Sequence, residues 1–195
     1  MVLAHNESPV TVTSHMNPSF DDLWALLGAR GHERYTGESV THLEHALQTA
    51  DLARRGGAGD ALVIAALLHD VGHLIHGMAG TLSAEGIDDR HEAIAAGALE
   101  RLFGAAVSGP VGLHVMAKRR LCADPRYLRA LSDDSRRSLV LQGGPLDAAG
   151  CEAYDALAHA QDALRLRRWD DAAKRPAREV PPLQSYRAMA EALLR

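Results

Sequence analysis

The stretch ALVIAALLHDVGH, residues 61–73, constrains this chain more than any other: it is apolar at every position from Ala61 to Leu68 and then places His69 beside Asp70. A helix that is apolar on all faces is buried all round. An imidazole and a carboxylate at its end are therefore carried into the interior, where polar groups need partners.

The rest of the chain reads as helices that could wrap such a core. Alanine, leucine, arginine and glutamate recur at helical spacing, and period-two runs rich in Val, Ile and Thr are nearly absent, so the expected class is all-α. Ser19 caps SFDDLWALLGARG, whose Phe20, Leu23, Trp24 and Leu27 form one apolar stripe ended by Gly31. Thr41 and Glu44 make a capping box for THLEHALQTADLARR, stopped by Gly56 and Gly57. Asp88 or Asp89 is expected to start RHEAIAAGALERLFG, and Pro110 to sit in the first turn of PVGLHVMAKRRL. Asp124-Pro125 breaks the chain. Ser132 caps SDDSRRSLVLQ, a long helix is expected over 149–174, and LQSYRAMAEALL closes the domain. Residues 1–18, with Pro9 and no amphipathic period, read as an irregular arm before a single domain over 19–195.

With 195 residues and a formal charge of −4, the chain lacks the basic field that nucleic acid requires, and it has no apolar run long enough to span a bilayer. Two cysteines, Cys122 and Cys151, in no CxxC pattern, and no secretory leader lead to the expectation of a cytoplasmic protein. The 11 histidines outnumber all Phe, Trp and Tyr residues together. That excess asks for a metal.

The expected helices carry His45, the His69-Asp70 pair, His91, His114 and Asp170. One carboxylate can bridge two cations while neutral imidazoles complete each sphere, so this set suffices for two metals about 3.5 to 4 Å apart. Oxygen and nitrogen donors without thiolate suit iron, manganese or zinc. His73, Lys118 and Arg167 lie three or four residues from His69, His114 and Asp170, and so share a helix face with them. Cationic donors beside a metal pair describe an anion pocket.

The series His45, LLHDVGH and RRWDDAAK resembles the HD-domain superfamily, and His91 and His114 supply the ligands of its dinuclear version. Together with YTGESVTHLEHALQTA, HVMAKRRL and SLVLQGG, these phrases are similar to the mixed-valence di-iron oxygenases of organophosphonate catabolism, the PhnZ type. The resemblance implies an HD-domain helical bundle around two irons, Fe(II) and Fe(III). His45, His69, Asp70 and Asp170 would hold one iron, and Asp70, His91 and His114 the other. It further implies that His73, Lys118, Ser135, Gln142 and Arg167 grip a phosphonate, that Tyr35 is a displaceable iron ligand, and that Glu38 reads a substrate amine. Asp171 is then left as a surface carboxylate. The implied reaction is O2-dependent cleavage of the carbon–phosphorus bond of a 1-hydroxyalkylphosphonate. The amino compound 2-amino-1-hydroxyethylphosphonate, giving glycine and phosphate, is preferred to its N-trimethyl analogue, because Glu38 suits a small ammonium and aromatic residues are few. A general HD-type phosphohydrolase is the alternative. The loop 77–89 is a candidate lid.

Overall fold

Ser19 receives the amide of Asp22 while Asp22 receives that of Ser19, and Thr41 and Glu44 repeat the arrangement. These reciprocal caps fix two helix starts, as the local sequence requires. A computed structural model describes residues 17–35, 37–77 and 83–195. The expected arm over 1–18 lies outside these apart from Asn17 and Pro18.

The described residues form α1 (Phe20–Arg30), α2 (His42–Arg55), α3 (Asp60–Leu68), α4 (Val71–His76), α5 (His91–Phe103) and α6 (Ala105–Leu121). There follow α7 (Pro125–Ala130), α8 (Asp133–Leu141), α9 (Ala148–Asp155), α10 (Ala160–Ala172) and, after a 3-10 turn at Leu183–Tyr186, α11 (Arg187–Glu191). The fold is all-α; the pairing seen among the described residues is one isolated bridge between Arg34 and Thr41. None of the described helices is long and apolar enough to cross a membrane.

Helix α3 is the axis of the molecule: Leu62 to Leu68 are all buried, and α2, α6, α10 and α11 pack around it. The stripe on α1 joins the same core, with Trp24 packed against Phe20. Buried Gln48 on α2 imitates a backbone unit, donating to the carbonyl of Arg175 and accepting from its amide, and so pins the chain just after α10 to α2.

Several boundaries differ from the sequence expectation. The HDVGH segment does not continue α3, because Asp70 leaves the helix at φ −101, ψ 8 and α4 restarts at Val71. Adjacent side chains on a continuous helix diverge by about 100°, so the break lets His69 and Asp70 face one centre. The N-cap position of helix α5 is Arg90, at φ 50 and without a side-chain cap of its own, not Asp88 or Asp89; Oδ1 of Asp89 still accepts the first helical amide, that of His91, at 3.4 Å, and its carboxylate also binds the rings of three histidines. Helix α6 begins after Gly104, at φ 73, which leaves Pro110 inside the helix, where it withholds one main-chain bond. Asp124-Pro125 starts a short helix, with Asp124 as cap and Pro125 at its first position. The long helix over 149–174 is two helices, separated where His159 turns left-handed at φ 65 and the Tyr154 hydroxyl donates to the carbonyl of Ala160. The closing helix is shorter than expected, its first turn being 3-10.

Candidate metal centre

Four buried imidazoles and two buried carboxylates meet at the middle of the bundle. His45 comes from α2, His69 and Asp70 from the α3–α4 junction, His91 from the first turn of α5, His114 from α6 and Asp170 from α10. They form two groups, His45–His69–Asp170 and Asp70–His91–His114, in each of which the donor atoms lie within 4.8 Å of one another.

Asp70 connects the two groups. Its Oδ2 is 3.2 Å from Nε2 of His69 and 3.5 Å from Nε2 of His45. Its Oδ1 is 3.5 Å from Nε2 of both His91 and His114. One oxygen per group is the arrangement a bridging carboxylate needs.

The imidazoles are oriented from behind. Nδ1 of His45 donates to the carbonyl of Ala173 at 3.0 Å, that of His69 to Ala66 at 2.9 Å and that of His114 to Val111 at 2.7 Å. Nδ1 of His91 lies 2.8 Å from Oδ1 of Asp89. With Nδ1 protonated, each neutral ring turns an Nε2 lone pair inward. Nε2 of His45 then faces Nε2 of His69 at 3.2 Å, and Nε2 of His91 faces that of His114 at the same distance. Lone pairs so close repel unless a cation stands between them. Oδ1 of Asp170, also buried, accepts no hydrogen bond from the described residues. The residues therefore fit two cations, one with four protein ligands and one with three, both open to further ligands.

Electrostatics point the same way. Burial alone would lower the pKa of His69, but Asp70 and Asp170 outweigh it and raise it to about 9. Burial would raise Asp70, yet the imidazoles of His69, His73 and His91 hold it well below the usual carboxylate range. His114 is pushed well down by burial and by the charge of His91. The centre demands positive charge, from protons or from metal ions.

A cavity of about 270 Å³ opens onto this centre. Lys118 lines it, 3% exposed, with Nζ donating to Oγ of Ser138 at 2.8 Å; burial and then the charge of Arg167 lower its pKa to about 7. Arg167 is braced by Asp170 at 2.8 Å and by Asp171, and reaches Oγ of Ser135 at 3.4 Å. Asp171 thus does more than the surface carboxylate expected of it, since the Tyr127 hydroxyl donates to it as well. Gln142 lines the cavity with a buried Oε1 that accepts no hydrogen bond from the described residues. His73 stacks on His91 at 3.9 Å, and its Nδ1 is 2.6 Å from Oδ2 of Asp89; burial would depress its pKa, but Asp89 and Asp70 raise it.

Tyr35 stacks on His45 at 4.4 Å and donates its hydroxyl to Oδ2 of Asp70 at 2.7 Å. Burial and the Asp70 charge push this phenol well above its ordinary pKa, so it is a neutral donor here. Glu38 does not line the cavity. Its Oε1 accepts from Nζ of Lys174 and from Oγ of Ser132, both at 2.7 Å. His42, read from the sequence as an ordinary polar residue, is in the cavity wall, with its pKa lowered to about 4 by burial and the charge of His73. Of the loop 77–89, Ser83, Ile87, Asp88 and Asp89 border the cavity, and Ser83 donates to Asp134 at 2.5 Å; residues 78–82 lie outside the described ones.

The sequence reading gave neither Asp89, taken as a helix start, nor Lys174 a role in the site. The signals were present: Asp89 precedes His91 by two residues, and Lys174 follows Asp170 by four.

Residues 42–121 match the HD domain family model. Over 88% of its length the chain is 42% identical to a hydroxymethylphosphonate dioxygenase of Gimesia maris, covering 86% of that protein. It is 38% identical, over 87% of each chain, to a [1-hydroxy-2-(trimethylamino)ethyl]phosphonate dioxygenase (glycine-betaine-forming) of Leisingera caerulea. An uncharacterized protein of Acanthamoeba polyphaga mimivirus is 34% identical over 80% of this chain and 73% of its own.

Proposed function

The chain belongs to the HD-domain oxygenases of phosphonates, and from that membership we propose that it uses O2 to break the carbon–phosphorus bond of a 1-hydroxyalkylphosphonate at a di-iron centre held by His45, His69, Asp70, His91, His114 and Asp170. The observation that carries this reading is the division of the Asp70 carboxylate between two histidine groups beside a cavity lined with cations. Two irons in the Fe(II)/Fe(III) state would supply one-electron chemistry toward O2 and Lewis acidity toward the substrate hydroxyl and phosphonate.

The protein's own groups do the rest. Lys118 and Arg167 bind the phosphonate charge, with Ser135 and Gln142 completing its hydrogen bonds. Asp170 and Asp171 hold the Arg167 guanidinium in place. Tyr35, as a neutral phenol, hydrogen-bonds the bridging carboxylate and is displaced when substrate enters. His73, its Nδ1 held by Asp89, exchanges a proton with the substrate through Nε2. In the overall reaction the C1–H and C1–P bonds break, C1 becomes a carboxylate carbon, phosphate leaves, and the electrons lost by C1 reduce O2. No nicotinamide or flavin is required.

The related enzymes are named for a substrate without an amine and for one with a trimethylammonium group. Hydroxymethylphosphonate, 2-amino-1-hydroxyethylphosphonate and its N-trimethyl analogue are therefore the compounds to supply to iron-loaded protein. Phosphate release matched one-to-one by O2 uptake on at least one of them is the expected result. Phosphate from simple esters without O2 uptake would replace the oxygenase by a phosphohydrolase.

A further inference from the structure

A protein recognises an ammonium group chiefly through a carboxylate or the face of an aromatic ring. The turn that precedes α2 carries both, Tyr35 in the cavity wall and Glu38 behind Lys174, which lines the cavity. Both are already engaged by Lys174. Its Nζ is 2.7 Å from Oε1 of Glu38 and 5.7 Å from the centroid of the Tyr35 ring. Ser135 and Ser132 hold the same ammonium through their hydroxyls, at 3.3 and 3.5 Å.

The ion pair is shielded, with side chains 13% and 12% exposed, so water and salt screen it weakly. Lys174 lines the cavity and Glu38 does not. A substrate with an ammonium on C2 would have to displace a cation that is tethered to the chain. The displaced Lys174 would stay nearby as a like charge in a cavity that already holds Lys118 and Arg167. A substrate whose only charge is its phosphonate meets neither obstacle. The cavity, at about 270 Å³, is also at the small end for a ligand site.

On the basis of the carbon–phosphorus cleavage proposed above, we infer that Lys174 is a specificity-determining residue, a built-in ammonium that restricts the site to small 1-hydroxyalkylphosphonates without a cationic substituent, hydroxymethylphosphonate being the simplest.

The test compares kcat/KM for hydroxymethylphosphonate and 2-amino-1-hydroxyethylphosphonate in iron-loaded wild type, Lys174→Met and Lys174→Arg. The wild type should prefer hydroxymethylphosphonate by roughly tenfold or more, Lys174→Met should shift that ratio toward the amine by a similar factor, and Lys174→Arg should retain the preference. Dissociation constants of the unreactive pair ethylphosphonate and 2-aminoethylphosphonate should move in the same sense. Because each readout is a ratio, a general loss of activity in a variant does not imitate the result. Equal losses on both substrates in Lys174→Met would make Lys174 a phosphonate contact and overturn the inference, while leaving the cleavage reaction intact. Should no phosphonate be turned over, the cleavage reading fails, and the binding ratio still decides whether Lys174 rejects cations.

Discussion

Lys118 sits in an environment that its chemistry does not prefer: an ammonium 3% exposed, in hydrogen-bond contact with a serine hydroxyl and with Arg167 as its neighbouring charge. Burial and that neighbour bring its pKa down to about 7, so near neutrality a large share of the free protein holds it uncharged. A phosphonate needs the charged form. We expect kcat/KM to fall as pH rises above about 7, while kcat, which reports the complex, persists to higher pH because the bound anion restores the proton. Lys118→Arg, which stays charged, should remove that alkaline limb; a limb that remains in Lys118→Arg would belong to another group. The same shift bears on folding. With the native pKa below the unfolded one, the unfolded chain binds more protons between about pH 7 and 10.5, so the contribution of this residue to stability rises with pH across that window and is level below it.

At the scale of elements, the position of His91 depends on how closely α4 and α5 approach. A Cβ on Gly72 would stand 2.0 Å from the carbonyl oxygen of His91, so only glycine allows the contact. Gly72→Ala should force α5 outward and destabilise the protein by about 3 kcal/mol, read as a lower urea midpoint. Bound iron per chain should fall with it, because His91 moves with the helix. An unchanged midpoint together with full iron content would refute this view of the crossing. The contact also illustrates which parts of the fold were legible in the sequence. The starts of α1 and α2 were readable because each cap is a reciprocal bond between residues three apart. The breaks at Asp70 and His159 were not, since neither has a glycine or proline and each serves a partner distant in the chain or a left-handed backbone that no local pattern announces. The ligand-type residues could be picked out by residue type and helical spacing. The pairings behind them, Asp89 with three histidines and Lys174 with Glu38, depend on loops and helix ends whose course only packing determines.

For the molecule as a whole, the candidate centre lies where α2, the α3–α4 junction, α5, α6 and α10 converge, so ions bound there would tie together helices that are far apart in sequence. Without them, four imidazoles and two carboxylates must be buried with neighbouring donor atoms 3.2 to 3.9 Å apart, held by protons, by the carbonyls and Asp89 behind the rings, and by Arg167 and Tyr35 on the carboxylates. Anything that binds the native state and not the unfolded one stabilises it, by about 4 kcal/mol when the free ligand exceeds its Kd a thousandfold. In a chain of this size that corresponds to a rise in Tm of roughly 10 °C. Iron-loaded protein should therefore melt well above chelator-treated protein. His114→Ala, which removes one ligand of the three-ligand group, should lose part of that increment and retain the rest, because His45, His69, Asp70 and Asp170 remain. A Tm indifferent to iron would mean that these helices do not share a metal. An increment abolished altogether by His114→Ala would mean that the two groups bind only as a unit, with Asp70 transmitting the occupancy of one to the other.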